Sequence, residues 1–156
     1  MPSFYRDPGA PTPNRPRGVG VTALIERDGT VLVERRADSE ALEWAFIAGT
    51  LDDESVLDAL QREVREETGF EIESASLFGI FSDPTRIVAY PDGSVRRITS
   101  IVFRVIPLGQ SAPVLSHESL EMQFVSRSEL VQLEFWPAHL PIRDALLDDM
   151  GEVVIA

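Results

Sequence analysis

The 156-residue chain has no cysteine, no lysine, only two histidines and no run of 18 apolar residues. Without cysteine, disulfides, thiolate nucleophiles and Cys-ligated zinc or iron are all excluded. The histidines, His117 and His139, stand 22 residues apart, too far for the close-spaced pairs of zinc peptidases. The lack of a long apolar run leaves no candidate for a bilayer-crossing helix. The opening MPSFYRDPGAPTPNRPR holds five prolines in 17 residues and no apolar core, so it does not read as a signal peptide. A soluble, cytoplasmic protein is the expectation. Positive charge is scarce as well: 14 arginines face 26 acidic residues, for a net charge of −12. Such a surplus repels polyanions, which argues against nucleic-acid polymers and anionic membrane surfaces. A small phosphate ester stays acceptable, provided a divalent cation sits between it and the acids.

What is present is ordinary globular material, 44% apolar and 26% charged, at a length that suits one domain. Residues 1–17 read as a proline-rich N-terminal arm, extended or disordered, and 18–156 as a single domain. From Gly18 the pattern turns to strand: GVGVTALIE, a turn at Arg27-Asp28-Gly29, then TVLVERR, a strong hairpin signal. Residues Ala41–Leu51 form a short apolar strand or packed loop. Ser55–Thr68 reads as a helix, opened by Ser55 with Asp58 three residues on and closed by Gly69. The runs FEIESASLFGIFSD, RIVAY and RRITSIVFRVI follow as strands, with a turn at Pro91-Asp92-Gly93. Met122–Val125 is one more short strand, and Ser126–Leu133 and Pro141–Met150 are helices. The fold class is α+β, a mixed β-sheet with helices packed on it.

Half of the net charge is concentrated in 23 residues. Gly49–Glu71 carries eight acids against Arg62 and Arg65. At about 100° per residue, Val56, Leu57, Leu60 and Val64 of the expected helix share a sector roughly 100° wide. Glu67 projects into that sector, Glu63 lies about 20° outside it and Glu66 roughly 60° further round. A carboxylate aimed at a core is costly unless it is paired or metal-bound, and neighbouring acids repel it. Carboxylates at i, i+3 and i+4, with no cysteine or histidine nearby, suit Mg²⁺, Mn²⁺ or Ca²⁺. Geometry alone leaves two readings open, a metal site and a solvated face laced with Arg–Glu pairs.

Glu54, seven residues, then Arg62-Glu63-Val64-Arg65-Glu66-Glu67-Thr68-Gly69-Phe70 resembles the Nudix box, Gly-x5-Glu-x7-Arg-Glu-U-x-Glu-Glu-x-Gly-U with U apolar. From Glu54 onward every fixed position matches. The leading glycine does not: Ala48 stands where five residues separate it from Glu54, and Gly49 leaves only four, a loop one residue short. The resemblance implies an α/β/α sandwich and hydrolysis of a nucleoside diphosphate linked to another moiety, with Mg²⁺ as cofactor and Mn²⁺ as a substitute. The partner it implies is a small nucleoside di- or triphosphate derivative, and a homodimer is a state common in the family. It further implies that Glu63, Glu66 and Glu67 hold the metal, that Glu63 serves as ligand or base, that Arg62 orients the carboxylates and that Glu54 supports the site. The alternative is a nucleotide-sensing domain with little or no turnover, which the short loop would suit.

Outside the box, HESLEMQFV offers Glu118, and secondarily Glu121, as an assisting acid or base. Arg86 and Arg96 are candidates for clamping substrate phosphates, with Arg97 beside them, although exposed strand arginines are the commoner case. Phe81 and Tyr90 could stack on a base, and the core is the more usual place for such residues. His139, flanked by proline and tryptophan, is expected to be packed or capping.

Overall fold

The computed structural model describes the backbone of residues 3–5 and all of 9–37 and 42–156. Met1, Pro2 and Arg6–Pro8 of the expected arm, and Ala41 of the expected apolar segment, lie outside the described residues. The sheet is mixed. Strand β1 (Ser3–Tyr5) is followed by β2 (Gly18–Arg27) and β3 (Thr30–Arg36), then by β4 (Trp44–Ala45) and β5 (Ile47–Thr50). Helix α1 (Val56–Thr68) precedes β6 (Ile72–Phe81), β7 (Ile87–Ala89), β8 (Val95–Pro107) and β9 (Ser119–Val125). Helix α2 (Arg127–Gln132), a 3-10 turn (Pro137–His139), helix α3 (Leu140–Leu147) and β10 (Val154–Ile155) complete the chain. Strand β8 runs parallel to β2 and antiparallel to β6 and β7. Strand β2 also pairs with β5 and β3, and β3 with β4 and β9.

Local chemistry explains the joints. Asp28 and Gly29 both take positive φ between Arg27 and Thr30, which face each other in the β2–β3 ladder. That is the two-residue turn whose twist matches right-handed strands. Ser55 caps α1 by accepting from the Asp58 N–H at 3.1 Å, and Gly69 ends it in the left-handed conformation. Ser126 and Glu129 make a reciprocal capping box at the start of α2.

Period-2 alternation then sorts the strands into two cores. Leu24, Val31 and Val33 face Leu130, Ile142 and Leu146 of the C-terminal helices. Ala23, Ile25 and Leu32 face the other way, against Leu60 and Val64 of α1. The result is helix, sheet, helix. Leu57, placed by periodicity at the edge of the apolar sector, is 55% exposed in the first turn of α1, and the buried face runs instead through Ala59, Leu60, Val64, Glu67 and Thr68.

The described part of the arm is held against the sheet. Asn14 accepts from the Val95 N–H at 2.9 Å and donates to Gly93 O at 3.0 Å. Arg17 reaches Thr99 Oγ1 at 3.0 Å, and Arg96 Nη1 donates to Pro16 O at 3.0 Å. These bonds draw the arm along the edge of a cleft.

Candidate active site

Helix α1 presents its carboxylates to two different environments. Arg62 gathers the first set: its guanidinium bonds both oxygens of Glu54 (2.6–3.2 Å), Glu63 Oε1 at 2.7 Å, Glu66 Oε2 at 3.4 Å and the Thr50 carbonyl at 3.1 Å. One arginine thereby ties the loop before α1 to three acids on or beside the helix, using the fork geometry that lysine lacks. Its bonds hold the Glu54 carboxyl below the usual carboxylate range.

Glu67 lies on the buried side, 7% exposed, as its position in the apolar sector predicts. Its Oε2 accepts from Ser116 Oγ at 3.0 Å, and the Glu118 N–H donates to Ser116 Oγ at 3.2 Å. Burial pushes the Glu67 carboxyl up to about 7, with the charges of Glu34 and Glu118 raising it further and Ser116 lowering it. Glu63 is also raised, chiefly by burial and then by Glu66 and Glu118, against the lowering effect of Arg62. The fold therefore brings Glu63, Glu66, Glu67 and Glu118 into one electrostatic neighbourhood. Glu121 is turned elsewhere, 3.6 Å from Arg35 on the neighbouring strand.

Sequence reasoning missed Glu34. This residue of β3 is 4% exposed, accepts from Ser119 Oγ, and its charge bears on Glu67. The signal was there: alternation makes Val31 and Val33 face one core and Leu32 the other, so Glu34 falls on the same inward face as Leu32.

The short loop has a specific geometry. A Cβ on Gly49 would stand 1.9 Å from Glu63 Cδ and 2.0 Å from its Oε1, so the Glu63 carboxyl rests on the bare Cα of residue 49. A Cβ on Gly20, in the adjacent strand, would meet the Gly49 carbonyl at 3.0 Å. Gly49 is thus the position where close approach requires glycine. Ala48 sits in the regular ladder opposite Thr22, and neither Ala48 nor Asp53 takes a positive φ.

Gly49, on which the Glu63 carboxyl rests, also lines a cleft of about 690 Å³. Arg17, Arg36, Arg86 and Arg96 line it against Asp52 and Asp92, so a protein of net charge −12 has a locally cationic recess here. Tyr90 and Trp136 are further walls, and the Arg36 guanidinium stacks 5.0 Å from the Trp136 ring. The two arginines expected at the substrate differ in placement. Arg96 is half-buried at the arm, whereas Arg86 is 2% exposed, donating to Ala138 O at 3.1 Å and Ser100 Oγ at 2.9 Å. Arg97 points to Pro84 O at 3.3 Å. Phe81 is core, packed near-parallel to Phe78.

The NUDIX domain model matches residues 14–146, which spans both the acidic helix and the cleft. The chain belongs to the Nudix family. A MutT-like protein of Streptomyces ambofaciens is 38% identical over 84 residues, and this Nudix chain spans about half of it (49% of this chain, 53% of that protein). The CTP pyrophosphohydrolase of Escherichia coli K12 is 29% identical over 137 residues, covering 81% of this chain and 89% of the relative. Among solved structures, that of the E. coli ORF135 protein superposes with a TM-score of 0.68 at 26% identity, covering 92% of this chain and all of that one (100%). The α/β/α arrangement of sheet and helices is the Nudix fold.

Proposed function

We propose that this Nudix protein hydrolyses the pyrophosphate linkage of a nucleotide or nucleotide derivative in a reaction that depends on a divalent metal. The observation that carries the reading is the placement of Glu67: a buried carboxylate beside Glu34 and Glu118, one helical turn from the Glu63 carboxyl that rests on Gly49 in the wall of an arginine-lined cleft. Like charges so close are stable together only when protonated or when a cation joins them.

The donor set fits a hard cation. Glu63, Glu66 and Glu67 would hold it, all through carboxylate oxygens, as Mg²⁺ or Mn²⁺ prefers. Among the described residues no trio of acidic or histidine side chains is already gathered tightly enough to enclose an ion, because Arg62 holds Glu63 and Glu66 while Ser116 holds Glu67. When bound, the metal supplies neutralisation of the phosphate oxygens and a lowered pKa for a coordinated water.

The remaining work falls to the chain's own groups. Arg62 fixes the orientation of Glu63 and Glu66, and the bare Cα of Gly49 lets the Glu63 carboxyl settle at the cleft border. Glu118, or Glu63 if it is not spent on the metal, would accept the proton from the attacking water. Water adds to phosphorus, the P–O anhydride bond breaks, and the leaving phosphate departs with the bonding electrons. The cleft arginines bind the anionic substrate that a net charge of −12 would otherwise repel. The E. coli CTP pyrophosphohydrolase, which this chain resembles over most of its length, supports a nucleoside triphosphate among the substrates.

The test is phosphate and pyrophosphate release from nucleoside triphosphates, ADP-ribose, dinucleoside polyphosphates and nucleotide sugars, with Mg²⁺, with Mn²⁺ and with chelator. Metal-dependent turnover of at least one compound is expected. Saturable binding without turnover of any of them would replace the hydrolase with a nucleotide-sensing domain.

A further inference from the structure

His139 is buried to 2% exposure in the wall of the cleft, packed between the rings of Phe46 and Trp136. Its Nδ1 accepts from the Phe46 N–H at 3.1 Å. An imidazole with Nδ1 engaged as acceptor carries its single proton on Nε2. Burial and the nearby charges of Arg36 and Arg86 push its pKa down to about 3, so the ring is neutral and the tautomer fixed. No protein acceptor among the described residues takes the Nε2 proton, and that edge is open to the cleft.

A second donor lies one guanidinium away. Ser100, on β8, accepts from Arg86 Nη2 at 2.9 Å and lines the same cleft. With a lone pair engaged by the guanidinium, its hydroxyl has its own proton to give. Arg86 ties Ser100 to the segment that carries His139, because its other arm holds the carbonyl of Ala138, the residue next to His139.

The location suits a nucleobase. Three residues lead from Phe46 to Gly49, at most about 10 Å of extended chain, and Gly49 is where the Glu63 carboxyl rests. That is the scale of a nucleoside measured from base edge to first phosphate. The Arg36–Trp136 stack supplies a flat wall alongside.

We propose that His139 Nε2–H and Ser100 Oγ–H form a base-reading pair that selects a nucleobase presenting two adjacent acceptors. Guanine offers N7 with O6, and cytosine offers N3 with O2. Adenine sets an amino donor beside its ring acceptors, and uracil places N3–H between its carbonyls, so each leaves one protein donor unmatched. A site of fixed donors rejects a ligand that leaves them unsatisfied. His139 and Ser100 are specificity-determining residues in this scheme and take no part in the hydrolytic step. The inference rests on the nucleotide reading above.

Binding of GMP, CMP, AMP and UMP, measured by calorimetry in chelator, tests it apart from hydrolysis, since these monophosphates have no anhydride to cleave. The wild-type protein should bind GMP or CMP at least about tenfold more tightly than AMP and UMP. His139→Asn keeps an acceptor for the Phe46 N–H but removes the cleft donor, and it should bring the four within about twofold of one another. His139→Gln, which returns an N–H near the Nε2 position, should recover part of the preference. Ser100→Ala removes the second donor and should narrow the preference even if the His139 variants do not fold. Equal binding of all four by wild type, no saturable binding in the millimolar range, or an unchanged preference in either His139→Asn or Ser100→Ala would overturn the proposal. Metal-dependent turnover combined with flat base selectivity would overturn it while leaving the proposed hydrolase standing.

Discussion

The Glu63 carboxyl lies where the side chain of any residue but glycine at position 49 would have to be, 1.9 Å from the site of its Cβ. The strand that carries Gly49 and the helix that carries Glu63 are thus locked in register by an absent methyl group. Glu63 is held there by Arg62, which also holds the loop between them through Thr50 and Glu54.

Gly49→Ala should therefore act on the chemistry more than on the fold. The new methyl displaces the Glu63 carboxyl by an ångström or more, a misplacement that can cost about 10²-fold in rate. Steady-state kinetics should show the loss in kcat rather than KM, with near-wild-type circular dichroism. An unchanged kcat would mean that the Glu63 position does not matter to turnover.

Arg62→Ala removes the group common to Glu54, Glu63 and Glu66. Its side chain is about one-third exposed, at 30%, so solvent screening limits the stability loss to about 1 kcal/mol. The loss of activity should be much larger, on the order of 10²-fold or more. Arg62→Lys should recover stability but little activity, because one ammonium cannot hold three carboxylates in a plane. Equal kcat/KM in the lysine variant and the wild type would remove the orienting role.

Glu67 ties the site to pH. Burial first, then Glu34 and Glu118, raise its carboxyl from about 4.5 to about 7. The folded chain binds this proton more tightly than the unfolded chain, so the stability it contributes is complete below about 4.5 and lost as pH rises through about 7. In chelator, wild type should lose on the order of 3 kcal/mol relative to Glu67→Gln across that interval and then run level with it. Mg²⁺ should restore the wild type above pH 7 and leave the variant unmoved, and Glu67→Gln should lose activity by orders of magnitude. Parallel melting profiles for the two proteins in chelator would contradict the buried, proton-binding carboxylate.

Glu118 and Glu121 are three residues apart, yet the fold gives them different neighbours. Glu118 bears on Glu63 and Glu67, while Glu121 pairs with Arg35. Glu118→Gln should lower kcat by about 10²-fold, the usual scale for a proton-transfer group. Glu121→Gln should remain within about twofold of wild type, as expected of an exposed ion pair. Comparable losses in the two variants would show that the loop's overall charge matters rather than Glu118 itself.

The sequence by itself determined the hairpin at Asp28-Gly29, helix α1 with both of its caps, the alternation that splits the strands between two cores, and the inward direction of Glu67. Each depends on neighbours within a few residues, on turn chemistry, capping or periodicity, so linear spacing carries the information. The tertiary structure alone decided which distant residues share the site. It placed Glu34, Ser116 and Glu118 around Glu67, gave the short loop a glycine at 49 in place of 48, and drew the proline-rich arm along the cleft. It also buried Arg86, for which the sequence left a phosphate clamp and an ordinary exposed arginine as alternatives, and fixed the tautomer of His139 through a backbone N–H 93 residues away. These relations join segments that meet only when β2, β5 and β8 are laid side by side, and burial and pKa shifts exist only once they meet.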